Sequence, residues 1–395
     1  MSHRLRYLVA VLTAVAVAAL LPGPAAASPT VSLVAWGLDS PRGVAFIDSK
    51  AFVAEAGHGS NNAENCFLTP FGNTCVGNTS QVSWVNTHTG EHAAVVTGLF
   101  SITLGREGAL GASGLAVRGG KLYVQIGATA REMPPTIEIG KQAGSLLSLN
   151  PKTSKWTTIA NVGNFGFDYT TQFTPPNPTE CGQCPGSQEH DANPNDVLAT
   201  SHGLIVADSG SNTITKVGDR GQMEILYHFP WRDPNPMNFP NDEVPTCVAT
   251  GGNAIWVGTL AGHLYRFADT KATLVTPTDS GGNALLSHVT GCTSRGGNLY
   301  LVNMFGAGQF SDQTFFDGNV VKYNTESGKG EMLADAFHNP ALFLPYSAKF
   351  GPDGNLYVTT GAVCNADGTS SFGNGQVPCA VGEKKGGRLV KISLR

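Results

Sequence analysis

Oxygen-bearing side chains at the ends of repeated strands are the residues of this sequence best suited to chemistry. Glu55, Asp208 and Asn303 each end a short apolar strand, and Asn195 precedes another. Calcium binds six to eight oxygen atoms, which carboxylates and carboxamides supply. If these four side chains converge, they would hold a calcium ion with a nucleophilic water for hydrolysis. The alternative is that Glu55 and Asp208 cap the turns that follow them.

A second set of polar residues would bind a ligand rather than a metal. Four of them lie in the loop segment EHDANPND (residues 189–196), and two are loop arginines that would anchor an anion. Each has a structural alternative, because Asn-Pro and Asp commonly start loops and a loop arginine often pairs with a neighbouring acid. The predicted ligand-binding residues are Arg42, Arg131, His190, Asp191, Asn193 and Asn195.

Charge and motifs exclude several classes of function. The chain has 29 acidic and 25 basic residues and a formal net charge of −4, which argues against a nucleic-acid partner. No GxSxG elbow, HExxH helix or phosphate-binding loop is present in the sequence. Whether the protein is an enzyme is therefore left open.

A sequence motif of two short strands joined by a Gly-rich turn occurs six times. Its copies start at residues 43, 113, 196, 247, 291 and 347 and read GVAFIDSKAFVAE, SGLAVRGGKLYVQ, DVLATSHGLIVAD, CVATGGNAIWVGT, GCTSRGGNLYLVN and SAKFGPDGNLYVT. A second hairpin follows in most copies, which gives four antiparallel strands for each repeat. Such repetition predicts an all-β, six-bladed β-propeller.

The last repeat ends after its third strand, GRLVKISLR, while the N-terminal VSLVAW (residues 31–36) has no blade of its own. We therefore expect the N-terminal strand to complete the last blade and close the ring. Closure would remove the open sheet edges that invite aggregation.

The long insertions should all emerge on one face of the propeller. They cover residues 56–80, 127–143, 164–192, 305–318 and 362–386. In an up-and-down blade, the turns from strand two to strand three and the links between blades lie on the same side, here called the looped face. Long loops on a rigid scaffold commonly carry function. Aromatic residues in two insertions would either wall a ligand pocket or pack the insertions onto the blades.

Two rings of residues should look toward the looped end of the channel. One ring precedes the innermost strands and contains Arg42, Ser113, Asn195, Thr246, Thr290 and Tyr346. The other ends the second strands and contains Glu55, Ile126, Asp208, Thr259, Asn303 and Thr360.

The N-terminus and the cysteines indicate export. Arg4 and Arg6, an apolar run and Ala25-Ala26-Ala27 predict a signal peptide over residues 1–27, with one propeller domain over 28–395 and no membrane span. Eight cysteines in an exported chain suggest disulfides. A redox dithiol or half a zinc site is the alternative for the CxxC. The expected pairs are Cys66–Cys75, Cys181–Cys184, Cys247–Cys292 and Cys364–Cys379.

The blade phrases, with PRGVAF, ANPNDVLATSHGLIVADSGSN and VPTCVATGGNAIWVGTLAGHLYRF, resemble the ScyD/ScyE family of exported bacterial propellers with NHL-like repeats. The resemblance implies an extracytoplasmic role without a settled reaction. Asn195 and Asp196 stand where the family usually has Tyr-Gly. A broader likeness is to calcium-dependent lactonases of the gluconolactonase type. Their metal ligands match only Asn195 in the ring that precedes the innermost strands.

These observations favour an exported propeller whose looped face binds a small molecule, a glycan or a protein partner. The alternative is a calcium-dependent lactonase- or esterase-like hydrolase with Glu55, Asp208, Asn303 and Asn195 as metal ligands. The two hypotheses differ in whether those four side chains converge on one point.

Overall fold

The computed structural model describes residues 29–69, 72–104, 108–172, 190–229, 242–268, 271–306, 317–370, 377 and 379–394. The predicted signal peptide and the predicted Cys181–Cys184 pair lie outside these residues. No helix in the described part of the chain is long and apolar enough to cross a membrane.

The described strands form six sheets arranged as a six-bladed β-propeller, as the repeats predict. Strand β1 (Thr30–Leu38) comes first in the chain and belongs to the last blade. Blade 1 has β2 (Pro41–Ile47), β3 (Lys50–Glu55), β4 (Cys66–Thr69), β5 (Gly72–Asn86), β6 (His92–Leu104) and β7 (Ala109–Leu110). Blade 2 has β8 (Ala112–Arg118), β9 (Lys121–Ile126), β10 (Ser145–Asn150) and β11 (Lys155–Asn161). Blade 3 has β12 (Pro194–Thr200), β13 (Gly203–Asp208), β14 (Thr213–Val217) and β15 (Met223–His228).

The second half of the ring follows the same plan. Blade 4 has β16 (Pro245–Gly251), β17 (Ala254–Thr259), β18 (Leu264–Ala268) and β19 (Lys271–Val275). Blade 5 has β20 (His288–Arg295), β21 (Asn298–Phe305), β22 (Asn319–Asn324) and β23 (Gly330–Asp335). Blade 6 has β24 (Pro345–Phe350), β25 (Leu356–Thr360) and β28 (Gly387–Ser393), with the short hairpin β26 (Ala380–Val381) and β27 (Lys384–Lys385) in its insertion.

The N-terminal strand closes the ring as expected. β1 runs antiparallel to β28, with Thr30 opposite Ser393 and Leu38 opposite Gly387. Leu38 is buried and packs with Val44 and Val53 of blade 1 in one apolar cluster. The same strand therefore completes blade 6 and contributes to its contact with blade 1.

Blade 1 differs from the prediction, because its insertion is largely strand. β5 and β6 continue beyond the blade toward the looped face, where Val76 pairs with Ile102. β4 pairs with β5, and Cys66 and Cys75 form a disulfide across that pair. The second hairpin predicted for this repeat corresponds only to the part of β5 and β6 inside the blade, because the extension lacks the repeat's alternation.

One α-helix was not predicted. Helix α1 (Val162–Thr170) begins after β11 at Asn161, whose side-chain oxygen accepts a hydrogen bond from the Asn164 amide as an N-cap. Gly163 and Gly166 lie within this helix and weaken its sequence signal. Short 3-10 turns at Ala63–Asn65, Ala130–Glu132, Glu138–Gln142 and Pro340–Leu342 complete the elements that the structure describes.

Three of the four predicted disulfides are confirmed. Cys66–Cys75 and Cys364–Cys379 join residues within single insertions, with Cα atoms 4.1 Å and 5.3 Å apart. Cys247–Cys292 joins the innermost strands of blades 4 and 5, with Cα atoms 5.7 Å apart. Three such bonds fit an extracellular protein, because disulfides persist in oxidising compartments.

Removal of β1 should open the ring. A variant lacking Thr30–Leu38 leaves the outer edge of β28 unpaired, and we expect it to aggregate or unfold at lower temperature. The control is a circular permutant that carries the same strand after the C-terminus and should melt close to the parent protein. Light scattering and calorimetry measure both effects, and equal stability of the deletion variant would contradict the closing role of β1.

The disulfide between blades 4 and 5 should contribute more to the free energy of unfolding than the one in the blade 1 extension. The Cys247–Cys292 bond spans 45 residues and the Cys66–Cys75 bond spans 9. In the chain-entropy model, loss of the longer loop lowers the free energy of unfolding by about 4 kcal/mol, and loss of the shorter one by less. Urea unfolding of C247A/C292A and C66A/C75A measures both values. Equal losses would show that loop closure is not what stabilises the fold here.

Candidate functional site

The ring predicted to precede the innermost strands lies within the first residues of those strands, where it is buried and closes the looped end of the channel. All six of its side chains are between 4 and 8% exposed. Tyr346 Oη and Ser113 Oγ both donate hydrogen bonds to Asn195 Oδ1, at 2.5 and 2.8 Å. Asn195 Nδ2 donates to the Thr246 carbonyl at 3.2 Å. These bonds link blades 2, 3, 4 and 6, so the polar atoms of Asn195 are engaged within the ring.

Arg42 belongs to the same network. Its guanidinium lies over the Tyr346 ring, 4.4 Å from the centroid, and donates to the Ala109 carbonyl at 2.8 Å. Cation–π contact and a carbonyl partner account for its burial. The structure therefore places two predicted ligand-binding residues, Arg42 and Asn195, inside a plug rather than on an open surface.

Polar residues of the second ring attach their blades to the links that precede them. Glu55 accepts from the Asp39 amide at 2.6 Å, and Asp208 Oδ1 accepts from the Asn193 amide at 2.8 Å. Asn303 Oδ1 accepts from the Ser287 amide at 3.2 Å. In each case the partner lies just before the first strand of the same blade. Asp208 Oδ1 also accepts from the Gly210 and Ser211 amides, which matches the turn-capping alternative for Asp208. Glu55 instead binds the link before its blade, so turn capping does not describe it.

Calcium does not fit this donor set. The oxygens of Glu55, Asp208 and Asn303 accept hydrogen bonds in three different blades, and Asn195 Oδ1 accepts hydrogen bonds inside the plug. A calcium site needs six to eight oxygens around one point. Within the described residues, no group of three or more His, Cys, Asp or Glu is placed to hold a metal ion. We derive no step that uses a metal.

Two further predicted ligand-binding residues lie against α1. Arg131 makes a two-pronged ion pair with Asp168 of the helix, at 2.9 and 2.6 Å, and both side chains are about half exposed. His190 stacks on Phe167 with ring centroids 3.7 Å apart. Helix α1 thus brings Arg131 and His190 to one part of the looped face, although each already has a partner there.

Asp191 and Asn193 stabilise the entry to blade 3. Asp191 Oδ1 accepts from the Ala192 amide at 2.6 Å, and Asn193 Oδ1 accepts from the Ala128 amide at 3.0 Å. The second bond ties the insertion of blade 2 to blade 3. A ligand-binding role for Arg131, His190, Asp191 and Asn193 stays a prediction.

The looped face also carries a site that the sequence analysis missed. His58 lies between Gly57 and Gly59, whose φ angles of 77° and 66° give the loop a sharp turn that favours glycine. The backbone is anchored on both sides, because the His58 amide donates to Thr79 Oγ1 and the Gly59 amide to Ser101 Oγ, each at 2.9 Å. The imidazole is therefore fixed by the loop that carries it.

His58 pairs with a buried acid. Its Nδ1 is 2.6 Å from Asp39 Oδ2, and the side chains are 40% and 10% exposed, respectively. Burial raises the pKa of the Asp39 carboxyl, and the hydrogen bond with His58 opposes that shift. The pair therefore places a partly exposed imidazole in front of a shielded carboxyl group.

The imidazole lines a pocket of about 250 Å³ between the insertions of blades 1 and 2. The polar groups around it are the side chains of Ser60, Asn61, Asn65, Asn78 and Thr79, and Ile139 supplies an apolar contact. We call this the His58 pocket. A sequence signal for it exists, since an acid two residues before a proline and a histidine after the second strand recur in blade 4 as Glu243 and His263.

Three solved structures are similar to this chain, and the one with a TM-score above 0.5 supports the fold. A structure of unknown function from Bacteroides thetaiotaomicron matches with a TM-score of 0.51 at 11% identity, over 93% of this chain and 76% of that one. Virginiamycin B lyase from Staphylococcus aureus matches with a TM-score of 0.43 at 14% identity, over 85% of this chain and 83% of that one. A protein described as a gluconolactonase matches with a TM-score of 0.47 at 12% identity, over 94% of each chain.

These proteins are propellers, and at such identities the likeness concerns the fold alone. No family model matches the chain. No curated protein matches it significantly.

Asp208 is a buried acid of the looped face whose carboxyl pKa is raised. Burial raises its pKa to about 7, although amides of Ser211 and Asn193 donate to Oδ1. The other oxygen, Oδ2, has no hydrogen-bond partner among the described residues. Helix α1 covers it, since a Cβ at Gly166 would lie 2.8 Å from Oδ2.

The raised pKa of Asp208 predicts a pH dependence of stability. The folded state holds the proton up to about pH 7, whereas an unfolded aspartate releases it near its ordinary value of 3.8. This contribution to stability is therefore complete at low pH and is lost as the pH rises toward 7. D208N, which stays neutral, should lose less stability than the parent protein over that range. Parallel melting curves from pH 4 to 7.5 would contradict this assignment.

Proposed function

We propose that the protein is an exported binding module whose looped face holds a small, uncharged, hydroxyl-rich ligand in the His58 pocket. The lining of that pocket carries the proposal. Hydroxyl, carboxamide and imidazole groups surround it, with no lysine, arginine or carboxylate side chain among the lining residues. Such groups both donate and accept hydrogen bonds, as a ligand with several hydroxyls requires.

The size of the pocket limits the ligand. At about 250 Å³ it is smaller than the cavities that enclose drug-sized molecules. A single sugar ring or a polyol of similar size fits such a volume, and a longer glycan would enter with its terminal residue only. The proposal thus selects the small molecule and the glycan from the predicted partners.

The channel offers less support for function. Its looped end is filled by Arg42, Asn195 and Tyr346, and the carboxylates of the second ring are hydrogen-bonded within their own blades. No observation favours the calcium-dependent hydrolase, so we do not propose it as a second function.

Export and family remain part of the proposal. Three disulfides fit an oxidising compartment. The basic and apolar N-terminal segment supports a signal peptide over residues 1–27. The ordered blade phrases support a protein of the ScyD/ScyE type.

Calorimetric titration with glucose, galactose, N-acetylglucosamine, glycerol and myo-inositol tests the binding proposal. We expect at least one of these to bind with a Kd of about 1 mM or tighter. Asn61 is exposed on the pocket lining, so N61W should fill the pocket and weaken binding at least about tenfold.

The matched control is N73W, which adds the same side chain at an exposed position of β5 outside the pocket. It should leave the affinity unchanged. The proposal is wrong if no compound of the panel binds, or if N61W and N73W weaken binding equally.

A further inference from the structure

The Asp39–His58 pair has the geometry of a base held by a carboxylate. His58 Nδ1 and Asp39 Oδ2 are 2.6 Å apart, and we assign the proton between them to Nδ1, with Oδ2 accepting. The neutral imidazole then has its lone pair on Nε2. His58 is among the residues that line the pocket, so that lone pair is available to a molecule bound there.

Blade 4 contains the same arrangement and allows an internal comparison. His263 Nδ1 is 2.9 Å from Glu243 Oε2, and Glu243, like Asp39, lies two residues before a proline. The backbone repeats as well, since the Gly57 amide donates to the Asp39 carbonyl and the Ala261 amide to the Glu243 carbonyl. The two pairs occupy equivalent positions in opposite blades of the ring.

The two carboxylates differ in what else they bind. Glu243 also accepts hydrogen bonds from Tyr265 Oη at 2.7 Å and Thr259 Oγ1 at 3.2 Å. Among the described residues, His58 is the one side chain that hydrogen-bonds to the Asp39 carboxyl group, and the Ala366 backbone also hydrogen-bonds to that group. Glu243 is therefore held by three side chains, whereas Asp39 has His58 as its side-chain partner.

We propose that the Asp39–His58 pair makes the pocket a hydrolytic site for small esters of hydroxyl-rich molecules, with His58 as general base and Asp39 as positioning residue. This rests on the proposed function for the class of ligand in the pocket. Water is the co-reactant, and no metal takes part.

The proton balance is complete with one imidazole. Nε2 of His58 takes a proton from a water molecule as the water oxygen bonds to the acyl carbon. The tetrahedral intermediate then expels the alcohol oxygen, which takes the proton back from Nε2. A carboxylic acid and an alcohol leave, and His58 is neutral again.

The surroundings of the pair suit this role. The carboxamides of Asn61, Asn65 and Asn78 line the same pocket and can donate hydrogen bonds to the oxygen that gains charge. Asp367 of the blade 6 insertion interacts electrostatically with both His58 and Asp39. Its negative charge favours the imidazolium formed during the reaction.

Hydrolysis of 4-nitrophenyl acetate by the full-length secreted protein tests the proposal. We expect H58N to lower the catalysed rate at least about 100-fold. H263N removes the equivalent histidine of blade 4 and should keep the parent rate. Equal rates in all three proteins, or equal losses in H58N and H263N, would overturn the proposal.

A second measurement does not depend on a variant that folds. Diethyl pyrocarbonate modifies neutral imidazoles, and peptide mass spectrometry gives the rate at each histidine. The His58 and His263 side chains have similar exposures, 40 and 33%, so we expect His58 to react faster only if it is the activated base. D39N should slow the modification of His58 without changing the rate of modification at His263. Equal rates at His58 and His263 in the parent protein would contradict the activation of His58.

The outcomes separate this inference from the proposed function. Binding of a sugar or polyol without His58-dependent hydrolysis retains the binding module and removes the catalytic role. His58-dependent hydrolysis without binding of any panel compound retains the base and shows that the ligand class is wrong.

Discussion

The antiparallel pairing of β1 with β28 is the constraint on which the rest of the molecule depends. It brings the two ends of the propeller into one sheet, from Thr30 opposite Ser393 to Leu38 opposite Gly387. A propeller whose last blade lacked this strand would have one open edge and one incomplete contact between blades. The buried side chains of Leu38 and Leu389 join blade 6 to blade 1. Closure therefore fixes the distance between Asp39, which follows β1, and the loop that carries His58.

Polar side chains at the ends of the second strands complete this architecture. Glu55, Asp208 and Asn303 each hold the backbone that enters their own blade, and Thr360 does so through the Ala341 carbonyl. A buried amide or carbonyl without a partner is costly, so an irregular link beside the channel needs such side chains. The residue types that suggest a metal site in the sequence are thus explained by the hydrogen bonds of the links.

The fold could be predicted because its signals are local and repeated. Each blade shows the alternation of its strands and the glycines of its turns within about 15 residues, and the missing strand of the last blade is visible by counting. Three disulfide pairs follow from cysteines that are close in sequence or at matching positions of adjacent repeats. Helix α1 and the extension of β5 and β6 were missed because neither repeats in another blade.

The site could be predicted only in its general position. Asn195 meets Tyr346 across the ring although 151 residues separate them, and nothing in the local sequence specifies that contact. The Asp39–His58 contact spans only 19 residues, but it depends on the turn at Gly57 and Gly59 and on β1 being in place. Contacts of this kind are consequences of the closed fold, so they appear only once the blades are assembled.

Blades 1 and 4 show how one position decides what such a pair can do. In blade 4 the second strand ends in Thr259, whose hydroxyl donates to Glu243 and adds to the hydrogen bonds that hold this carboxylate. In blade 1 the equivalent residue is Glu55, which accepts from the backbone amide of Asp39 rather than bonding to its carboxyl group. Asp39 is left with His58 as its main side-chain partner, in a buried setting where an uncompensated charge acts strongly. The same repeated backbone therefore carries a carboxylate with three side-chain partners in blade 4 and one paired with His58 in blade 1.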